Sequence, residues 1–235
     1  MKKFLLTTTC ILAMPAMASA SDYQIPGEFS SSVAFVSDYV FRGVTQTNEN
    51  PAVQASIDYS HDSGFYAGIW GSNVDFADAN LETDLYAGFS GELKNGLSWD
   101  IGGIYYVYPG ADSSNDFDFF EAAIAVGYDF DVASVSASVN YSPEFFGDSG
   151  DATYTAAYVD VPLPYDVSLS GHVGYQAIDD EATFGLPDYT DWSLGLGYSV
   201  SGFDLSVSYV DTDLSTSECS DGCDSKAVFS ISRSF

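Results

Sequence analysis

The feature that most constrains this chain is an alternation of apolar and polar residues that recurs in about twelve segments. In one of them Val167, Leu169 and Val173 alternate with Ser168 and Ser170. A period of two places the two sets on opposite faces of a β-strand. We find no helical period of any length, so the sequence predicts an all-β chain.

Turn residues separate the predicted strands. The strands cover approximately residues 28–41, 52–60, 65–75, 81–93, 97–108, 117–130, 132–142, 153–163, 167–176, 192–200, 203–210 and 226–235. No break in composition divides this part of the chain, so we predict one domain over residues 21–235.

The connections between these strands alternate in length. Short ones include KNG at 94–96 and SG at 201–202, and long ones include GVTQTNENP at 43–51 and FADAN at 76–80. Short turns on one side and long loops on the other are typical of outer-membrane barrels, whereas a soluble sandwich has no reason to sort its loops in this way. The sequence therefore predicts an antiparallel, up-and-down transmembrane β-barrel of about 12 strands in the cell outer membrane.

The first twenty residues have the pattern of a secretory signal peptide. Lys2 and Lys3 precede a short apolar run, and Ala18-Ser19-Ala20 forms a small-residue cleavage site. We expect the mature chain to start near Ser21. No later segment approaches the ~20 apolar residues that a membrane helix needs.

Charge and composition exclude several classes of protein. Removing the signal peptide leaves four basic side chains against 34 carboxylates, and such a chain is repelled by nucleic acid. A high charge can indicate disorder. The 16% aromatic and 46% hydrophobic content instead predicts an ordered chain that places much apolar surface away from water.

The alternating faces predict what meets lipid and what lines the interior. Small residues and acids suit a narrow, wet lumen, so the apolar set should face outer-membrane lipid. Aromatic residues should form a belt at each membrane interface. We expect Tyr59, Phe65, Trp99, Phe130, Phe203 and Phe235 in the periplasmic belt, and Tyr39, Phe41, Tyr105, Phe120, Tyr141, Tyr175, Trp192 and Tyr209 in the outer one.

The polar set supplies the candidate pore-lining residues. These are Asp38, Arg42, Asp58, Glu82, Asp84, Asp100, Glu121, Asp160, His172 and Lys226. Arg42 would end the first strand and Lys226 would begin the last, and barrel closure makes those strands neighbours. One hypothesis is that the two cations face an acidic wall near the outer mouth and create a transverse field. The alternative is that they neutralise neighbouring acids.

The closing stretch KAVFSISRSF alternates up to the last residue. Phe229, Ile231 and Phe235 share one face, and the terminal aromatic resembles the C-terminal signal that outer-membrane assembly machinery recognises. We therefore expect the barrel assembly machinery as a partner. Arg233 interrupts the apolar set, and we interpret it as a charge at the inner membrane interface.

Cys219 and Cys223 are the two cysteines of the mature chain. They are spaced C-S-D-G-C in a compartment that permits disulfides. We expect a disulfide that closes a small loop, with free thiols as the alternative. Two thiols without a nearby histidine do not make a zinc site.

Residues 30–47, SSSVAFVSDYVFRGVTQT, resemble the opening of the TorF-type family of outer-membrane putative porins. The motif is S-D-Y-x-F-R-G-x-[ST]-Q, at Ser37 to Gln46, and the stretches at 64–76 and 81–88 and the final SRSF also fit. The resemblance implies a pore-forming barrel over the mature chain. It implies no established substrate and no catalytic residues.

These observations predict a porin-like channel for passive diffusion of small polar solutes or ions, with a preference for cations. A structural or adhesive barrel without an open pore is the alternative. A hydrolase that uses His172 is a weaker rival, because Ser170 lies ~7 Å away along a strand and a catalytic pair needs contact. We expect no enzyme activity and no cofactor, although the acidic loops (DFAD, DSSNDFD, GDSGD, DDE and DTD) could bind divalent cations weakly.

Overall fold

The computed structural model describes residues 26–235. The predicted signal peptide at 1–20 and the start of the mature chain lie outside these residues. Within them, the chain forms fourteen strands and two short helical turns. The strands are β1 (Glu28–Val36), β2 (Val40–Phe41), β3 (Val44–Thr45), β4 (Ala52–Ser60), β5 (Phe65–Phe76), β6 (Ala79–Glu92), β7 (Leu97–Val107), β8 (Phe119–Phe130), β9 (Ala133–Ser142), β10 (Ala152–Leu163), β11 (Val167–Ile178), β12 (Tyr189–Val200), β13 (Phe203–Thr212) and β14 (Lys226–Ser234).

All strands except β2 and β3 form one closed antiparallel barrel of twelve strands. Each barrel strand pairs with the next barrel strand along the chain, so β1 pairs with β4. The last strand, β14, pairs with β1, where Phe35 lies opposite Ile231. Closure gives every barrel strand a hydrogen-bonded neighbour on both sides, and a barrel is one of two backbone arrangements that hydrocarbon tolerates. The predicted all-β, up-and-down barrel is confirmed. In residues 26–235, no helix is long and apolar enough to cross a membrane.

Large apolar side chains cover the outer face of the barrel. Phe35 is 56% exposed and Ile57 is 59% exposed, and Phe229, Ile231 and Phe235 lie on the same outer face. The alternate residues point inward, and Ser32, Ser56 and Glu121 are buried there. An outer face this apolar would be unstable in water, whereas lipid satisfies it. The alternation therefore gives a barrel that is apolar outside and polar inside.

Short turns close the end of the barrel that carries Phe235. The opposite end carries longer connections, with one exception: β5 and β6 are joined by a tight turn at residues 77–78, because their pairing continues to Phe76 and Ala79. The prediction of a long loop at FADAN was therefore wrong. These two strands rise past the point at which their neighbours end.

The first strand is shorter than predicted. It ends at Val36, and the following residues turn into the barrel. Tyr39 and Phe41, expected in the outer aromatic belt, instead lie inside, where Tyr39 packs on Trp70 and Phe41 on Tyr106. Arg42 accordingly does not end β1. The predicted boundary at residue 41 was wrong because Tyr39 and Phe41 keep the two-residue spacing of Phe35 through the bend.

An aromatic cluster packs the long loops together at the outer mouth. Phe117 stacks on Phe146 with ring centroids 4.6 Å apart, and both contact Phe76 and Tyr108. Phe145 extends the cluster toward the barrel interior. We call this cluster the aromatic roof. It gives the outer loops an apolar core of their own.

Phe235 closes the barrel at its other end. Its backbone N–H donates to the Ser31 carbonyl (2.9 Å), its own carbonyl accepts from the Ser31 N–H (3.2 Å), and its ring lies 5.1 Å from the Arg233 guanidinium carbon. The ring of Phe203 flanks Arg233 at the same distance. The last residue therefore belongs to the seam between the first and last strands.

Deleting Phe235 should lower the amount of folded barrel in the outer membrane to less than half. The deletion removes both seam hydrogen bonds and the terminal aromatic ring. Heat-modifiable mobility of membrane fractions on gels measures the folded amount. Phe235→Ala separates the two losses, because it keeps the backbone bonds and removes only the ring. Normal insertion of the deletion variant would contradict an assembly role.

Candidate functional site

The first long connection folds into the barrel as a small hairpin. We call residues 38–47 the inner hairpin. β2 and β3 pair within it, and Arg42 and Gly43 form its two-residue tip, both with positive φ (48° and 81°). Two-residue turns of this kind favour glycine. At Gly43 a Cβ would lie 2.4 Å from the Thr212 methyl, so the tip presses directly against the barrel wall.

Side chains of the motif itself fix the base of the inner hairpin. One carboxylate oxygen of Asp38 accepts hydrogen bonds from the Thr45 (2.5 Å) and Thr47 (2.9 Å) hydroxyls. Two backbone bonds then attach the hairpin to its surroundings: the Thr45 N–H donates to the Gly222 carbonyl (3.0 Å), and the Asp75 N–H donates to the Gln46 carbonyl (2.8 Å). The hairpin is therefore anchored on both sides of the mouth.

Arg42 extends from the tip into a buried polar pocket. Its Nη2 lies 2.7 Å from Glu121 Oε2 and its Nη1 donates to Gln176 Oε1 at 2.8 Å. The guanidinium carbon lies 4.2 Å from the ring centre of Tyr154 and 4.6 Å from that of Phe41. The side chains of Arg42 and Glu121 are only 6% and 1% exposed. A guanidinium so placed makes charge-assisted bonds that fix its orientation.

The other side of the inner hairpin contacts the opposite wall. The Tyr39 hydroxyl donates to Glu82 Oε1 (2.7 Å) on β6, and its ring packs on Trp70 of β5. Phe41 packs on Tyr106 of β7. With the contacts of the tip, the hairpin touches strands from β5 to β8 and from β10 to β13. It lies across the interior of the barrel.

Within residues 26–235, four of the predicted pore-lining acids form no ion pair. Asp58 accepts from Ser56 (2.7 Å) and from the Tyr86 hydroxyl, and Asp100 accepts from the Tyr66 hydroxyl (2.9 Å). Asp84 on β6 lies opposite Trp70 on β5. Asp160 is exposed and lies near the end of the barrel that carries the short turns. Of these four acids, Asp58 and Asp100 are held by neutral hydroxyls.

His172 belongs to a network that the sequence only partly indicates. Its Nε2 lies 2.8 Å from the Tyr154 hydroxyl, which also donates to Asp191 Oδ2 at 3.0 Å. The His172 Nδ1 lies 3.4 Å from Asp191 Oδ1, and its ring stacks on Tyr158. Among residues 26–235, the ring nitrogens of His172 contact Tyr154 and Asp191 and no serine hydroxyl.

Lys226 lies at the top of β14 beside the base of the inner hairpin. Its Nζ is 2.8 Å from Glu49 Oε1 and 3.7 Å from Asp38 Oδ2, and it donates to the Gly222 carbonyl at 3.1 Å. The structure does not bring Lys226 together with Arg42, since each contacts its own carboxylate. Separate contacts of this kind are what the neutralisation alternative requires.

The last long loop supports the inner hairpin from outside. Cys219 and Cys223 are disulfide-bonded in the structure, and Gly222 between them supplies the carbonyl that receives the Thr45 N–H. The Thr212 hydroxyl donates to the Cys223 carbonyl (2.8 Å). The closed five-residue segment therefore presents one carbonyl to the hairpin.

Replacing both Cys219 and Cys223 with serine should loosen the inner hairpin and leave the barrel intact. The bond from Thr45 would then depend on an untethered loop, so we expect faster hydrogen exchange at the Thr45 amide and an unchanged unfolding temperature. Mass spectrometry after exchange measures the first quantity. Amide exchange of the barrel strands in the same variant is the internal control and should not change. Unaltered exchange would contradict a supporting role for the disulfide.

Many loop carboxylates are used within their own turns. Asp112 accepts from the Ser114 N–H and hydroxyl (both 2.9 Å), and these bonds lower the pKa of Asp112. The Ser215 N–H and hydroxyl donate to the Glu218 carboxylate in the same way, and these bonds lower the pKa of Glu218. Bonds of this kind favour the charged form. These acids therefore shape the loops and keep the surface negative.

One exposed group of loop acids comes together at the outer mouth. The carboxylates of Glu49, Asp221 and Asp224 lie within 4.8 Å of one another. The ammonium of Lys226 already contacts Glu49. Weak binding of divalent cations to the acidic loops stays a prediction.

Two important interior residues were missed from the sequence. Asp191 was not predicted to line the interior because the tenth predicted strand began at Trp192. The corresponding strand in the structure, β12, begins at Tyr189. The alternation through Ser193 and Gly195, extended by one step, would have placed Asp191 inside. The alternation through Ser168 and Ser170 places Gln176 on the polar face, but no sequence signal indicates that it would bind Arg42.

The closed strands, the apolar outer face and the polar interior define the class: this is an outer-membrane β-barrel. The chain belongs to the family described as "Bacterial protein of unknown function (Gcw_chp)", whose model matches residues 20–235. No curated protein sequence matches it.

Solved structures of similar fold are porins and channels. A KdgM porin superposes with a TM-score of 0.60 at 9% sequence identity, covering 88% of this chain and 98% of that one. A NanC porin gives the same values. The COG4313 outer membrane channel from Pseudomonas putida F1 has a TM-score of 0.57 at 9% identity, covering 93% of this chain and 100% of that one. At such identities the likeness shows the fold.

Proposed function

We propose that this protein is an outer-membrane channel for the passive diffusion of small polar solutes or ions, with a preference for cations. One observation carries the proposal: both interior cations contact carboxylates, whereas Asp58 and Asp100 are held by neutral hydroxyls. The described interior therefore holds more carboxyl groups than basic side chains. A lumen of one sign concentrates ions of the other sign.

The fold supports a route through the barrel. Twelve strands lie between the filled eight-stranded barrels and the open sixteen-stranded porins. Small residues line much of the wall, including Ser136, Ser170, Gly195 and Gly197. The neighbours of similar fold are named as porins or channels, which agrees with this function. Assignment to the TorF-type porins and recognition by the barrel assembly machinery stay predictions.

A structural barrel without an open pore is the second candidate. The inner hairpin favours it, because the hairpin crosses the interior and contacts strands on both sides. Under the channel proposal the same hairpin is the constriction, and solutes pass beside it. A hydrolase is the weaker rival, and His172→Ala would abolish activity if lipid hydrolysis were present.

Single-channel recording of the purified protein in planar bilayers tests the proposal. We expect discrete conductance steps and a reversal potential, under a KCl gradient, displaced toward the value for potassium. Replacing Asp58, Asp100 and Asp160 with asparagine should reduce this displacement. Asp112→Asn with Glu218→Gln, in exposed loops, is the matched control and should leave it nearly unchanged. A silent protein would favour the structural barrel, and equal effects of both variants would contradict selectivity by the lumen.

A further inference from the structure

The pocket that holds Arg42 has the composition of a guanidinium receptor. A carboxylate oxygen of Glu121 and an amide oxygen of Gln176 each face a different guanidinium nitrogen, at 2.7 and 2.8 Å. The ring of Tyr154 lies 4.2 Å from the guanidinium carbon. An anion, a second planar acceptor and an aromatic face are the groups by which proteins recognise guanidinium.

The pocket belongs to the barrel wall and is held there by the wall's own contacts. Glu121 also receives hydrogen bonds from the Tyr106 hydroxyl and the Asn140 amide, both at 3.3 Å. The Tyr154 hydroxyl is fixed by Asp191 at 3.0 Å. None of these bonds involves the inner hairpin. A preformed site requires little reorganisation when a ligand binds.

The occupant, in contrast, belongs to a separable element. Arg42 is carried on a hairpin whose removal would leave the ladder of β1 and β4 complete, since these strands pair up to Val36 and Ala52. The hairpin is attached by the backbone bonds of Thr45 and Gln46 and by side-chain contacts such as those of Tyr39 and Arg42, none of which belongs to the ladder between barrel strands. Arg42 can therefore leave the pocket without unfolding the barrel.

We propose that Glu121, Gln176 and Tyr154 form a binding site for a small solute that carries a guanidinium group, and that Arg42 occupies this site as an internal substitute. The solute takes the site when the inner hairpin withdraws. This assignment names a solute class for the proposed channel and so rests on that function. The binding step itself does not require conduction.

The geometry discriminates between classes of solute. A guanidinium is planar and has donors directed at two separate oxygens, so it satisfies Glu121 and Gln176 together and lies flat on Tyr154. An ammonium ion carries the charge but has no planar surface to stack on Tyr154. A urea has the planar surface but carries no charge. An anionic solute would meet the buried carboxylate of Glu121.

Arg42→Ala in the full-length barrel tests the site directly. The atoms that this substitution removes correspond to ethylguanidinium, so this ion is the probe. We expect it to raise the unfolding temperature of Arg42→Ala in detergent in a saturable way. Ethylammonium and ethylurea, matched for charge and for shape, should have little effect. Wild-type protein should require a concentration on the order of tenfold higher or more, because the tethered Arg42 acts at an effective concentration of about millimolar or above.

The double variant Arg42→Ala/Glu121→Gln is the control for the site and should lose the response. No shift in Arg42→Ala, an equal shift with ethylammonium, or a shift that survives in the double variant would overturn the proposal. If Arg42→Ala does not fold, hydrogen exchange of residues 38–47 in wild-type protein replaces it. Ethylguanidinium should accelerate that exchange, and unchanged exchange would overturn the proposal. A silent channel that still binds the probe defeats only the proposed function.

Discussion

Glu121→Leu should release the inner hairpin from the barrel wall. The substitution leaves the Arg42 guanidinium buried without its carboxylate, and breaking a buried ion pair in this way costs about 3 to 5 kcal/mol. Because Arg42 lies on a loop, the chain can relieve this cost by withdrawing the hairpin into water. We therefore expect the loss to appear as hairpin opening more than as unfolding of the barrel.

Hydrogen exchange resolved to the inner hairpin measures that opening. A change of about 3 kcal/mol corresponds to roughly two powers of ten in the opening equilibrium. The Thr45 amide, which donates to the Gly222 carbonyl, should exchange faster by about this factor. The unfolding temperature of the barrel should change much less.

Two further variants distinguish the effect of breaking the Arg42–Glu121 ion pair from the effect of removing one interior carboxylate. Arg42→Met combined with Glu121→Leu removes both partners and should restore most of the protection, since no buried charge remains unpaired. Asp160→Leu removes an interior-facing carboxylate that is exposed and forms no ion pair within residues 26–235. It should leave hairpin exchange unchanged. Equal effects of Glu121→Leu and Asp160→Leu would contradict a specific role for the pair.

The sequence predicts the barrel well because every membrane strand meets two different environments. Lipid demands apolar residues on one face, and the narrow interior demands small or polar residues on the other, so the period of two persists along each strand. The last strand shows this most clearly, with Phe229 and Ile231 outside and Ser230 and Ser232 inside. Local pattern and global fold agree there.

The inner hairpin was not predictable from the same pattern. Tyr39 and Phe41 keep the two-residue spacing of Phe35, so they look like members of an interface belt. Their actual contacts, Trp70 and Tyr106, belong to strands distant in sequence. The turn Arg42-Gly43 is a weaker signal than Asn-Gly, because arginine, unlike asparagine, is not enriched at the positive φ that Arg42 adopts. Tertiary contacts at Glu121 and Gln176 stabilise it.

Removing the inner hairpin should increase conductance severalfold. The register allows a clean deletion: Val36 and Ala52 are direct partners in the β1–β4 ladder. A two-residue Asn-Gly turn can therefore replace residues 37–51 without altering the strands. The replaced segment crosses the interior, so its loss widens the narrowest part of the lumen. Single-channel conductance in planar bilayers measures the change.

The loop between β9 and β10 offers a matched control. Ser142 and Ala152 are also direct partners, so the same Asn-Gly turn can replace residues 143–151. That loop carries Phe145 and Phe146 of the aromatic roof and lies over the mouth. Its loss should change conductance much less. Equal increases from both replacements would place the constriction in the roof.

The comparison also separates the two candidate functions. If the wild-type barrel is silent and the variant without residues 37–51 conducts, the inner hairpin is a plug that must move before anything passes. If both conduct, with the variant larger, the hairpin narrows a pore that is already open. If neither conducts, the interior between the hairpin and the short-turn end is itself closed. A structural barrel without an open pore then explains the protein better than a channel does. Because β1 and β4 pair without the hairpin, the hairpin is not what holds these two strands together. Its contacts with both walls of the lumen are what the protein would lose.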